Sequence, residues 1–188
     1  MQLSAMVYDK MTKPLNIVKD NLQKYFKGRC LDIGCNSGRH LKLMPKESYG
    51  LDIEKQVIPN YNFTQFNLNR GYLPYGDKRF DCILFSHVIE HIESPSLIIK
   101  ECHRILKKEG ILIVAIPNIH SIRSDFYSDH CEGHINVWSR KTFKKFLLMH
   151  NFNVLNIYSN YPKFLKILSD LPFNFFMEDI WFICEGKG

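Results

Sequence analysis

Apolar residues along this chain change their spacing repeatedly, and the changes mark out short strands alternating with helices. RCLDIG at 29–34 reads as a first strand, SYGLDI at 48–53 as a second, and a third short one is predicted near 62–67. FDCILFS at 80–86 is apolar almost throughout, as a central parallel strand covered on both faces requires. ILIVAI at 111–116 is a fifth strand, stopped by Pro117-Asn118, and strands at 152–158 and 179–184 complete the set. Between them the spacing becomes helical. A helix over 14–27 carries Ile17, Leu22 and Tyr25 on its apolar side, and another opens near Gly38 and runs to about Met44. Ser94 is placed to cap a third, with Pro95 in its first turn and Leu97, Ile98, Cys102, Ile105 and Leu106 as its stripe. Lys107 and Lys108 suit the dipole at its end, and Gly110 suits its termination. Ser139 caps a fourth helix reaching about His150, with Asn151 in a left-handed terminating conformation.

Strands alternating with helices predict an α/β fold: a seven-stranded, mostly parallel sheet with one antiparallel strand and helices on both faces. The whole of 1–188 is expected to form one domain. It divides into an N-terminal helix at 14–27, a core at 28–158 and an aromatic segment at 160–177 before the last strand. That segment carries Phe164, Phe173, Phe175 and Phe176, too apolar for a simple hairpin turn. Residues 118–138 read as a polar, aromatic loop.

Composition narrows the class. At 45% hydrophobic and 23% charged, 188 residues can bury a sizeable core but leave little for a second domain. No apolar run approaches the roughly 20 residues that span a bilayer, and MQLSAMVYDKMTKP lacks the apolar stretch of a secretory signal, so a cytoplasmic location is expected. The six cysteines are scattered without a C-x-x-C pair, which argues against a disulfide framework or a zinc ribbon. A formal charge of +6 would help attract an anionic substrate, but it is spread too evenly to point to nucleic acid.

The chemistry concentrates in LDIGCNSGRH at 31–40. A glycine turn between a first strand and a helix lets a ligand approach the backbone and the helix N-terminus. Asp32 stands inside the strand, where a carboxylate is costly to bury unless a partner is brought to it, and a ligand carrying an ammonium group would be one. Counted from Gly34, the dinucleotide pattern G-x-G-x-x-G meets Asn36 and then Arg39, so it fails twice. Asp52, at the end of the second strand, is placed to accept hydrogen bonds from both hydroxyls of a ribose.

The ordered series LDIGCNSG, GLDIE, FNLN, FDCILFSHVIEHI and ILKKEGILIVAIPN resembles the class I S-adenosylmethionine-dependent methyltransferases over about residues 15–158. The resemblance implies a Rossmann-like fold, S-adenosyl-L-methionine as cofactor and methyl transfer as the activity. It implies that Asp32, with the turn of Gly34, Cys35, Asn36 and Gly38, holds the methionine part. Asp52 would bind the ribose, Ile53 would pack on the adenine, and Asn67 and Leu68 would read its edge. Ser86 and His87 would lie beside the sulfonium, and Tyr8 and Asp9 would cover the cofactor from the other side. Asn36 departs from the family, which most often has glycine there.

Methyl transfer from a sulfonium needs mainly alignment and desolvation, and an oxygen nucleophile often needs a base as well. That makes His87, His91 and His134 the catalytic candidates, with Glu90 beside them. His and Glu in one half-turn together with a distant His can also form a metal donor set, and the sequence leaves that open. The arrangement resembles metal-dependent small-RNA 2′-O-methyltransferases and ubiquinone-pathway O-methyltransferases, although those have Glu where His87 stands. The expected activity is methylation of a small-molecule acceptor at O or N. The alternatives are a metal-assisted RNA 2′-O-methyltransferase and an S-adenosylmethionine-binding subunit without turnover.

Overall fold

A computed structural model describes residues 21–118, 134–159 and 179–187. Seven strands form one sheet: β1 (Cys30–Ile33), β2 (Tyr49–Asp52), β3 (Asn62–Gln65), β4 (Phe80–Ser86), β5 (Leu106–Pro117), β6 (Phe152–Ser159) and β7 (Asp179–Gly186). Their spatial order is β3-β2-β1-β4-β5-β7-β6. All pairings among the first five are parallel, and β7 runs antiparallel to both β5 and β6. This is the mostly parallel sheet with a single reversed strand that the sequence predicts. Of the expected features, residues 14–20 of the first helix, most of the loop at 118–138, the segment 160–177, and Tyr8 and Asp9 lie outside the described residues.

Alternate residues of each strand point to opposite faces, which gives the sheet two apolar layers. On one face Leu31, Ile33, Ile83, Phe85, Leu112 and Val114 pack beneath α1 (Pro95–Ile105) and α2 (Arg140–Met149). On the other, Cys30, Cys82, Leu84, Ile113 and Trp181 meet Leu22, Phe26, Leu41, Met44 and Ile58. Five cysteines, Cys30, Cys35, Cys82, Cys102 and Cys184, are free and buried, serving as small apolar fillers.

Helix details depart from expectation in three places. The helix predicted from Gly38 to Met44 is only a 3-10 turn at Leu41–Leu43, and Gln23–Tyr25 is likewise a 3-10 turn. The chain is already extended at Met44, as the residue before Pro45 prefers. Helix α1 ends at Ile105, and Lys107, Lys108 and Gly110 belong to β5. There the register against β4 jumps from Phe80↔Leu106 to Cys82↔Ile111, so residues 107–110 bulge. The stripe of α1 is Ile98, Ile99, Cys102 and Ile105, while Leu97 is exposed. Ser94 precedes α1 without a side-chain capping bond, whereas Ser139 and Thr142 form a reciprocal capping box on α2. Asn151 has φ 61°, the left-handed conformation expected after α2.

Candidate functional site

The parallel strands all end at one edge, and nearly every predicted site residue lies there. Asp32 in β1 is 1% exposed, and neither carboxylate oxygen has a hydrogen bond among the described residues. Burial, reinforced by the Asp52 charge and opposed by Arg39, raises its carboxyl to about 8. His40 Nδ1 stands 3.9 Å from Asp32 Oδ2. Burial, with Arg39 and His87 adding to it, drives the His40 imidazole down to about 4, so the ring faces Asp32 uncharged and gives it no counter-ion. The site therefore holds a buried carboxyl group that no hydrogen bond among the described residues satisfies, a fit for a ligand bringing an ammonium.

The turn after β1 is built around that carboxylate. Gly34 and Gly38 have φ 72° and 75°, and Asn36 has φ 44°. Asparagine is among the side chains that tolerate the left-handed region, so it can stand where glycine is more usual. The amides of Gly34 and Cys35 donate to the Leu51 carbonyl at 2.7 and 3.1 Å, and that of Gly38 donates to Cys35 at 2.8 Å. What this turn offers a ligand at those positions is close approach rather than spare donors. Burial pushes the Cys35 thiol well above its usual range, so it acts as packing.

Asp52 closes the turn from β2. Its Oδ2 accepts from the Asn36 amide at 2.8 Å and its Oδ1 from the Glu54 amide at 3.1 Å. Each oxygen keeps a further lone pair, the capacity that two ribose hydroxyls need. Beside it, a hollow of about 270 Å³ is lined by Ile53, Gln65, Phe66, Asn67 and Arg70. Ile53 is 60% exposed, an apolar surface fit for stacking. Asn67 accepts from the Asn69 amide at 2.9 Å, and Leu68 is buried in the core. Gln65, Phe66 and Arg70 were not among the sequence candidates. Arg70 lies 5.6 Å above the Phe66 ring, a contact that pattern reading does not reveal.

The histidines separate into two groups. His87 follows β4 directly after the half-buried Ser86, with φ 54°. Its Nε2 lies 3.2 Å from Asp179 Oδ1 and its Nδ1 3.5 Å from Glu90 Oε1, and the side chain is 14% exposed. Asp179 opens β7 opposite Pro117, and nothing in the sequence singled it out. The second group follows the 3-10 turn Ile89–His91, which buries Glu90 and leaves His91 exposed. The His134 ring sits against that of His91, with centroids 4.6 Å apart at 67°. Burial lowers the pKa of His134, with the Glu90 carboxylate pulling the other way and His91 and His87 adding to the fall.

A family model described as a methyltransferase domain matches residues 12–157. An uncharacterized Methanocaldococcus jannaschii protein is 33% identical over 106 residues, covering 55% of this chain and 51% of its own. A ubiquinone biosynthesis O-methyltransferase of Pelagibacter ubique is 28% identical over 128 residues, 55% of this chain and 52% of its own. The chain spans about half the length of these curated relatives. In fold it is similar to the solved structure of a SAM-dependent methyltransferase from Archaeoglobus fulgidus. The TM-score is 0.74 at 22% identity, with 90% of this chain and 93% of that one covered. No helix among the described residues is long and apolar enough to cross a membrane.

Proposed function

We propose, from the premise that this chain belongs to the S-adenosylmethionine-dependent methyltransferase family, that it methylates a small-molecule acceptor at oxygen or nitrogen. Its cofactor is S-adenosylmethionine, which when bound supplies a methyl group activated on a sulfonium. The observation that carries the placement of the cofactor is Asp32, a buried carboxylate without a hydrogen bond among the described residues, next to a turn of left-handed residues. In this reading Asp32 binds the ammonium of the methionine part. Asp52 accepts from the ribose hydroxyls, and Ile53 and Asn67 line the adenine hollow.

The acceptor side rests on His87. It stands at the end of the central strand with Asp179 on one ring nitrogen and Glu90 near the other. Such a ring is held in one orientation, and in its neutral form, with the ring proton on the nitrogen facing Asp179, the other nitrogen can take a proton from an acceptor O–H or N–H as the methyl arrives. Its small exposure favours a narrow acceptor over a polymer. The Pelagibacter relative, described as a ubiquinone biosynthesis O-methyltransferase, lends weight to an oxygen acceptor of small size.

The test is production of S-adenosylhomocysteine by the purified chain against a panel of phenols, catechols and amines, with single-stranded RNA as a further arm. Turnover with a small acceptor, lost in His87→Ala, supports the reading. Turnover with RNA alone overturns it. Tight S-adenosylhomocysteine binding without turnover across the panel also overturns it and leaves the non-catalytic subunit.

A further inference from the structure

The two acids beside His87 outweigh the positive charge that faces them. Glu90 is 1% exposed, and neither carboxylate oxygen has a hydrogen bond among the described residues. Its backbone carbonyl, by contrast, accepts the amides of both Ile135 and Asn136 at 3.0 Å. The turn is thus fastened in a position that leaves the Glu90 side chain unsatisfied. Asp179, with a side chain 16% exposed, has its Oδ1 3.2 Å from His87 Nε2, while Glu90 Oε1 stands 3.5 Å from His87 Nδ1. One imidazole lies between two acids, and even when protonated it balances only one of them.

No fixed cation makes up the difference. Among the described residues, no lysine or arginine pairs with Glu90 or Asp179. Burial makes His134 harder to protonate, and His91 lies exposed with its ring against that of His134. Trp181, edge to face with His87 at 6.4 Å, adds an uncharged wall. The cofactor does not close the gap either. Its ammonium, carboxylate and sulfonium sum to a single positive charge, which Asp32 already matches. Negative charge is therefore left over for whatever enters beside the methyl group.

We propose that the acceptor is a primary or secondary amine that enters as its ammonium ion against His87 and Asp179, in the field of the buried Glu90. This choice of nitrogen rests on the methyl-transfer reading, which leaves oxygen and nitrogen open. Neutral His87, with its ring proton on the side of Asp179, takes a proton from the ammonium at Nδ1. The freed nitrogen lone pair attacks the methyl carbon, and the C–S bond breaks with its electron pair left on sulfur. The products are a methylated ammonium and S-adenosylhomocysteine. The positive charge that leaves sulfur arrives on nitrogen, where two carboxylates stabilise it as it develops. An alcohol or phenol gains nothing from them. It brings no cation, and the negative charge gathering on its oxygen as the proton leaves is repelled.

The experiment is calorimetric titration of the chain loaded with S-adenosylhomocysteine, using pairs that differ only in the acceptor group. These are benzylamine with benzyl alcohol, tyramine with tyrosol, and hexylamine with hexanol, and turnover of the same compounds is then read with S-adenosylmethionine. The best-bound amine should be preferred over its alcohol by about tenfold or more. That preference should collapse in Glu90→Gln and in Asp179→Asn, with affinity for the alcohol unchanged. S-adenosylhomocysteine binding by each variant checks that it is folded. Equal binding of amines and alcohols overturns the proposal, as do a failure of every amine to bind and a preference retained in both folded variants. Turnover of tyrosol without any amine turnover overturns the choice of nitrogen and leaves methyl transfer standing. Amine binding without turnover of any compound overturns the methyl-transfer reading itself.

Discussion

Asp32→Asn keeps the shape of the side chain and removes its proton, and the consequences can be worked through. In the ligand-free protein the carboxyl is raised to about 8, chiefly by burial. Below that pH it is mostly neutral. The proposed contact with the ammonium requires the carboxylate, so binding below pH 8 must expel a proton. Affinity should then fall by up to tenfold for each unit of pH, or about 1.4 kcal/mol, as pH drops below 8. Between pH 8 and 6 the dissociation constant for S-adenosylhomocysteine should rise about 50-fold, because half of the carboxyl is already protonated at pH 8. Calorimetry in two buffers of different ionisation heat measures both the constant and the proton released. The linkage to stability has the opposite sense. Because the folded pKa lies above the ordinary 3.8, the ligand-free fold holds more protons than the unfolded chain between about pH 4 and 8. Its unfolding free energy should therefore decline as pH rises through that window, by on the order of 5 kcal/mol in the limit. Asp32→Asn should bind weakly, lose the pH slope of binding and be the more stable protein at pH 8. A wild-type affinity that is flat from pH 6 to 8 without proton release would refute this reasoning, as would a full slope retained in Asp32→Asn.

Other substitutions probe the frame around the site. Gly38→Ala puts a methyl group 2.7 Å from Ile58 Cγ2 at φ 75°. It should cost about 1–2 kcal/mol and weaken S-adenosylhomocysteine binding, read by thermal melting and calorimetry. Ser139→Ala breaks the capping box of α2 and should lower stability by about 1 kcal/mol, or some 3 °C in melting temperature, with cofactor affinity unchanged. Phe143→Ala empties a fully buried position packed on Trp138, Phe146 and Phe182. A loss of about 3–5 kcal/mol is expected, measured as a shift in the urea midpoint.

The strands were legible in the sequence because a buried parallel strand must be apolar, and β1, β2, β4 and β5 are each bracketed by turn residues. Helix ends were less so. Leu41, Leu43 and Met44 have the spacing of a helix, but one turn before Pro45 is all the chain can complete. Lys107, Lys108 and Gly110 read equally well as a helix end and as a strand bulge, and only pairing with β4 decides between them. Asp32 and Asp52 stood out because acids are conspicuous next to apolar strands and a glycine turn. Asp179 could not, since its meeting with His87 depends on the antiparallel register that sets it opposite Pro117. That His134 meets Glu90 and His91 was left open by the sequence, because it depends on backbone hydrogen bonds between two segments far apart in the chain.

Reversal of β7 has a consequence for how such a scaffold can diversify. Were β7 parallel, its connection from β6 would have to cross the sheet and return to the far end. Because it is antiparallel, Ser159 and Asp179, the two anchors of residues 160–178, both sit at the ligand-binding rim. Asn118 and His134, which flank residues 119–133, are tethered to the same rim by β5 and by the Glu90 turn. Because the ends of both stretches are fixed at that rim, changes in their length leave the described strand pairings in place.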